Sequence, residues 1–171
     1  MQPTPSQTIG PFFHLCLTAY EIGGHLAAPA VQGERLTLIV RVLDGDGAPV
    51  DDAVIELWQA DATFRGFGRL ATNEQGVCAF ETVKPGRVTS SNGMLEAPHI
   101  NVSVFARGLL KRAVTRIYFA EDPANEQDPV LALAPAERRN TLIARSDPDQ
   151  PSVWKFDINL CGERETVFFE I

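Results

Sequence analysis

Glu34–Asp61, "ERLTLIVRVLDGDGAPVDDAVIELWQAD", carries the reading of the fold. Leu36, Leu38, Val40 and Val42 alternate with polar or smaller residues, and Val54, Ile55, Leu57 and Trp58 follow the cluster Asp44-Gly45-Asp46-Gly47. Period-two alternation on both sides of a glycine-rich cluster predicts two strands around a turn. "GRLATNEQGVCAFETVKPG", Gly68–Gly86, repeats the grammar: Asn73–Gly76 turns, Val77–Val83 alternates, and Lys84-Pro85-Gly86 ends the strand. Further strands are expected at His99–Phe105, Ala113–Phe119 and Val153–Leu160, with a short one at Thr166–Glu170. In the first of these, Ile100, Val102 and Val104 take one face, and Asn101, Ser103 and Phe105 the other. One helix is expected, in "APAERRNTLIAR", where Pro135 and Glu137 suit the first turn and Leu142, Ile143 and Arg145 close it. Many short strands and one short helix predict an all-β chain, an antiparallel β-sandwich with long ordered loops. The expected organisation is a single domain over 1–171 with an N-terminal arm over 1–30.

At 171 residues such a domain buries roughly 70% of the surface its unfolded chain exposes, so it needs no disulfide or structural metal to fold. A formal charge of -7, from 15 basic and 22 acidic residues, leaves no cationic surplus for phosphates and argues against nucleic acid as a partner. No apolar run reaches the roughly 20 residues that span a bilayer, so no membrane association is expected. "MQPTPSQTIG" has no basic region ahead of an apolar core, unlike a secretory signal. Cys16, Cys78 and Cys161 are widely spaced in apolar contexts and read as buried free thiols. The expected location is the cytoplasm.

Three segments depart from strand grammar: "TPSQTIGPFFH" (Thr4–His14), "GRVTSSNGMLEAPH" (Gly86–His99) and "YFAEDPANEQDPVLALAP" (Tyr118–Pro135). The first reads as an ordered arm lying against something. Long ordered loops in compact domains usually carry function, so chemistry is expected there rather than in the strands.

The motifs "TPSQTIGPF", "VIELWQAD" (Val54–Asp61), "TVKPG" (Thr82–Gly86), "APHINVSVFARG" (Ala97–Gly108), "TRIYFAED" (Thr115–Asp122) and the ending "GERETVFFEI" occur in this order along nearly the whole chain. Together they resemble the intradiol ring-cleaving dioxygenases. The resemblance implies a β-sandwich and a ferric ion held by two tyrosinates and two histidines, since a hard, highly charged cation favours anionic oxygen. This chain departs from that ligand set. Its tyrosines are Tyr20 and Tyr118 alone, the loop after Lys84-Pro85-Gly86 has none, and "QADATFRGFG" (Gln59–Gly68) has none. Where iron-bearing chains carry His-x-His, it reads His99-Ile100-Asn101. His14 and His25 lie far off in sequence. His99 and Asn101 are therefore expected to mark a vestigial metal position, with no metal and no catalytic residue in this chain.

The resemblance further implies an α-type chain that pairs with a homologous, iron-bearing β-type partner in a hetero-oligomer. The ferric, non-heme iron then belongs to the partner, and the isolated chain is inactive. The implied substrate is 3,4-dihydroxybenzoate, opened between its hydroxyls with O2 to 3-carboxy-cis,cis-muconate. Arg107, Thr8 and Pro11 are the implied substrate-binding residues. A planar guanidinium suits a carboxylate, which gives Arg107 an independent case; the alternatives are a solvated strand end or an interface ion pair. Thr8 and Pro11 either reach the pocket or only shape the arm. Trp58 and Gln59 read as sandwich and interface packing. Arg116 reads as an ion-pair partner for Glu121 or Asp122. The competing class is a non-enzymatic transthyretin-like or adhesin-type β-sandwich binding module, which shares "DGDGAPVDDAVIELW" and "TNEQGVCAFETVKPG".

Overall fold

The computed structural model describes residues 10, 16–18, 23–62 and 64–170. Among the described residues ten strands occur in chain order: β1 Arg35–Leu43, β2 Val54–Ala60, β3 Arg65–Ala71, β4 Val77–Val83, β5 Val88–Thr89, β6 Leu95–Glu96, β7 His99–Phe105, β8 Ala113–Phe119, β9 Ile143–Ser146 and β10 Val153–Asn159. One layer runs β4-β1-β10-β9 and the other β3-β2-β7-β8. The short β9 pairs with both β8 and β10, which makes one continuous eight-stranded path. β5 and β6 form a separate two-stranded ribbon in the loop that leads to β7.

The expected β-sandwich is present, and β4, β7 and β8 take the expected boundaries. Leu38, Val40 and Val42 of β1 bury against a shared core with Ile55, Leu57, Phe80, Ile100, Val102, Val104 and Phe156. Asn101, Ser103 and Phe105 take the less buried face of β7. Four details differ from the sequence reading.

First, β1 and β2 are not a hairpin. The turn returns onto the end of β1, with Asp44 N donating to Ala48 O at 2.9 Å and Val50 N to Val42 O at 3.0 Å. The chain then crosses to the other layer, because two strands that each have one apolar face bury more by facing each other than by lying side by side. Asn73–Gly76 likewise joins β3 and β4 across layers. Second, two pairs are parallel, β1 with β10 and β8 with β9. Both are closed by long connections, which parallel pairing requires.

Third, the expected helix is a 3-10 helix over Ala136–Leu142, and Ile143–Ser146 that follows is strand. Two further 3-10 turns, Pro123–Gln127 and Leu131–Leu133, build the loop before it. Fourth, Thr166–Glu170 joins no sheet ladder. It is tied by Thr166 N to Asn159 O at 2.9 Å and by Phe169 N to Val114 O at 2.8 Å.

The described part of the arm has a defined task. Leu26 N donates to Glu81 O at 2.9 Å and Glu81 N to Gly24 O at 2.6 Å, while the buried Leu26 side chain lies on Gly66 and Gly68 of β3. The segment thus closes the seam between the edge strands β3 and β4. Arg35 holds it by donating to the carbonyls of Ala27, Ala28, Pro29 and Val31 at 2.7–3.0 Å.

All three cysteines are free, but only Cys78 is buried; Cys16 and Cys161 are exposed. Apolar neighbours in sequence did not translate into burial, because Cys161 sits in the turn after β10 and packs its sulfur on Gly45. Among the described residues no helix is long and apolar enough to cross a membrane.

Candidate functional site

The pairing of β7 with β8 sets His99 opposite Tyr118 and Asn101 opposite Arg116. Directly paired residues share a face, so all four lie on the outer face of the second layer. The loop built from the 3-10 turns folds over this end, burying Tyr118 together with Leu131, Ala134 and Leu142. A compact polar cluster results.

His99 is buried, and its Nδ1 lies 2.8 Å from the Ala97 carbonyl. A carbonyl can only accept, so Nδ1 carries the proton and donates. Nε2 lies 3.5 Å from Glu96 Oε2. Burial pushes the imidazole below its ordinary pKa, and the nearby Arg116 charge lowers it further. The ring is therefore neutral at pH 7, and the Glu96 contact is not an ion pair. Glu96 has a different partner: Arg116 Nη1 donates to Oε2 at 2.8 Å.

Asp128 anchors the covering loop. Its Oδ1 accepts from the Tyr118 hydroxyl at 2.9 Å, Val130 N at 2.9 Å and Leu131 N at 2.6 Å, and its Oδ2 accepts from Ala97 N at 2.7 Å. Burial drives the Tyr118 phenol well above its ordinary pKa. Tyr118 is thus a neutral hydrogen-bond donor with its proton committed to Asp128.

This donor set does not fit ferric iron. The one tyrosine in the cluster has its hydroxyl committed to Asp128, Asn101 is a neutral amide, and His99 offers a single nitrogen. A guanidinium already supplies the positive charge beside Glu96. Among the described residues no group of three or more His, Cys, Asp or Glu side chains is arranged to hold a metal.

Arg116 therefore pairs with Glu96, not with Glu121 or Asp122. Asp122 is held instead by Lys84 of "TVKPG", whose ammonium lies 3.4 Å away and over the rings of Phe119 and Trp154. The sequence places Arg116 near Asp122, but alternation along β8 turns it outward, away from Lys84. Gln59 is buried and ties the layers together, donating to Val83 O at 3.0 Å and accepting from Thr82 Oγ1 at 2.7 Å. Trp58, by contrast, is 45% exposed on the outer face, between its paired neighbours Phe67 and Asn101. Asp61 accepts from Gly86 N at 3.0 Å, so the motifs "VIELWQAD" and "TVKPG" meet in space.

Arg107 lies two residues beyond the opposite end of β7, whose far residue Phe105 is already roughly 20 Å from His99 at ~3.3 Å per residue. Its side chain is 61% exposed; Nε contacts Asp52 Oδ2, and Nη2 lies 4.0 Å from Asp51 Oδ1. The β2–β7 register accounts for this: Val54 faces Phe105, and two residues further out Asp52 comes opposite Arg107. His25 is on the surface, 2.9 Å from Glu81 on the edge strand β4, and does not join His99. Thr8, Pro11, His14 and Tyr20 lie outside the described residues. Glu96, Asp128 and Asp52 were not singled out by the sequence; only the placement of Glu96 and Asp128 in the two long loops pointed toward them. An open groove of about 990 Å³, bounded by Arg41, Arg145, Lys155 and Asp157 among others, includes neither the His99 cluster nor Arg107.

Residues 24–162 match the Dioxygenase family. The chain is 42% identical to a protocatechuate 3,4-dioxygenase alpha chain from Burkholderia cepacia, over 100% of this chain and 98% of that one. It is 33% identical to the beta chain of that organism's protocatechuate 3,4-dioxygenase, over 78% of this chain and 67% of the relative. Among solved structures, the dioxygenase domain of a dioxygenase carbohydrate-binding protein fusion from Streptomyces sp. SirexAA-E superimposes with a TM-score of 0.64. It covers 97% of this chain and 100% of that domain at 24% identity, and so supports the fold. With these matches spanning the sandwich and both of its layers, the chain belongs to the intradiol dioxygenase family.

Proposed function

We propose that this chain is the α-type, non-iron subunit of a protocatechuate 3,4-dioxygenase. The family depends on non-heme iron, and in this reading the ferric ion sits in a homologous β-type partner. The observation that carries it is the His99 cluster. The fold is kept, yet the place where the resemblance expects ligands is filled by a closed network of Glu96, Arg116, His99, Tyr118 and Asp128. Such a chain assembles and shapes a pocket; it does not activate the catechol or dioxygen.

The reaction joins 3,4-dihydroxybenzoate to O2, breaks the ring bond between the hydroxyl-bearing carbons, and places both oxygen atoms in 3-carboxy-cis,cis-muconate. This chain's part is binding. Arg107 offers a guanidinium to the substrate carboxylate across the interface, and Thr8 and Pro11 of the arm line the same pocket. The whole of 1–171 acts as one domain with its arm over 1–30. A higher-order αβ assembly in the cytoplasm suits three free thiols.

The test is expression of the chain alone and together with a tyrosine-rich homologue, followed by iron analysis and oxygen uptake with 3,4-dihydroxybenzoate. Iron and activity are expected only in the complex. A colourless complex without activity would return the chain to the class of binding modules.

A further inference from the structure

We propose that Asp52 is a positioning residue for Arg107, fixing its guanidinium side-on so that the terminal Nη1–Nη2 edge faces outward for a substrate carboxylate. The inference rests on the reading above, in which Arg107 reaches the substrate in the partner's pocket. A guanidinium can meet a carboxylate through its Nε side or through its terminal edge. Here the Nε side is taken: Nε contacts Asp52 Oδ2, and the Asp52 side chain is only 15% exposed. Asp51 lies 4.0 Å from Nη2, beyond hydrogen-bond distance, and is itself 60% exposed. Among the described residues the terminal edge makes no hydrogen bond, and its one charged neighbour is Asp51 at 4.0 Å.

Asp52 is well placed for this work. It lies in the turn next to Ala53 and Val54, both fully buried, so its backbone is fixed to the core. Its Oδ1 is buried and has no hydrogen-bond partner. A carboxylate held out of water with one oxygen unpaired costs free energy, and Arg107 is the cation that offsets it. The arrangement turns a long side chain with many rotamers into one with a set direction, reducing the ordering cost at binding.

The experiment uses the αβ complex with four variants of this chain, Arg107→Ala, Asp52→Asn, Asp52→Ser and Asp51→Asn. Each is assayed with 3,4-dihydroxybenzoate and with a catechol that lacks the carboxylate. Asp52→Asn is expected to raise KM for 3,4-dihydroxybenzoate at least fivefold with kcat within twofold, and to leave KM for the plain catechol unchanged. Asp51→Asn removes a neighbouring, more exposed charge without touching Nε, and is expected to leave both values within twofold. Asp52→Ser carries the same test should the amide variant fail to assemble. If Arg107→Ala raises KM while the Asp52 variants leave it unchanged or lower it, Asp52 is not a positioning residue and the pocket reading stands. If Arg107→Ala itself leaves KM unchanged, the pocket role of Arg107 is wrong, and the proposal goes with it.

Discussion

Arg116 donates to Glu96 at 2.8 Å, and this pair stands beside His99 on the outer face of the second layer. A guanidinium thus supplies the local positive charge beside His99. The pair is largely buried, with side-chain exposures of 19% and 8%.

Arg116→Leu leaves the Glu96 carboxylate without its cation. Breaking such a pair from one side costs about 3 kcal/mol, since the remaining charge stays away from water. Urea unfolding should show the midpoint falling at unchanged slope. Replacing both residues, Arg116→Leu with Glu96→Leu, should recover part of the loss; equal losses in the single and double variants would mean the pair is not coupled.

Asp128→Ala removes the acceptor for Tyr118, Ala97, Val130 and Leu131 together. Three buried donors and one half-buried donor lose their partner, at about 1–3 kcal/mol for each buried one when none is replaced. The expected result is a chain that unfolds or loses order in the loop over β7 and β8. Tyr118→Phe, which removes one donor and leaves the carboxylate three others, should cost only about 1 kcal/mol. Proteolysis at residues 120–135 separates the two outcomes.

His99 has a pKa below its ordinary value in the folded chain, so between that value and about 6.5 the unfolded state binds more protons. Its contribution to stability is therefore present above about pH 6.5 and lost as pH falls toward the folded-state value. Thermal melts from pH 7.5 to 5 should show a decline that is shallower in His99→Gln. A decline of the same steepness in the variant would assign the effect to other groups.

Burial pushes the Cys78 thiol up to about 12, whereas Cys16 and Cys161 are exposed. A thiol reagent at pH 8 should label Cys16 and Cys161 in the native isolated chain, with Cys78 reacting only on unfolding. Rapid labelling of Cys78 would mean that β4 opens from the sandwich.

Gly68 lies under Leu26, and a Cβ there would come 2.5 Å from Leu26 Cδ1. Gly68→Val should cost about 1–3 kcal/mol by overpacking the seam that the arm closes. Pairing it with Leu26→Ala makes room and should recover part of that cost.

The parts of the fold that follow from alternation were legible in the sequence: β4, β7 and β8 are bounded by turns and follow a period of two over most of their length. Pairing was not. Asp44–Gly47 reads as a hairpin turn, yet β1 and β2 join different layers, because face-to-face burial is decided by the whole chain rather than by the turn. β9 was hidden at the end of a helical pattern, where Leu142, Ile143 and Arg145 fit either reading. At the site, the departure of Asn101 from His-x-His was visible in the residues themselves. That Glu96 and Arg116 would meet depends on the β7–β8 register and on the ribbon β5–β6, which no local signal fixes. Asp52 came to Arg107 by the same kind of long-range register.

The central claim is tested most directly by iron stoichiometry and oxygen uptake measured on the purified chain alone, then on the same chain assembled with an iron-bearing homologue. The account predicts no bound iron and no uptake with 3,4-dihydroxybenzoate for the chain alone, and about one iron per αβ pair with activity for the complex. Stoichiometric iron and ring cleavage by the chain alone would contradict it, and would show that the Glu96–Arg116 pair yields its place to a metal.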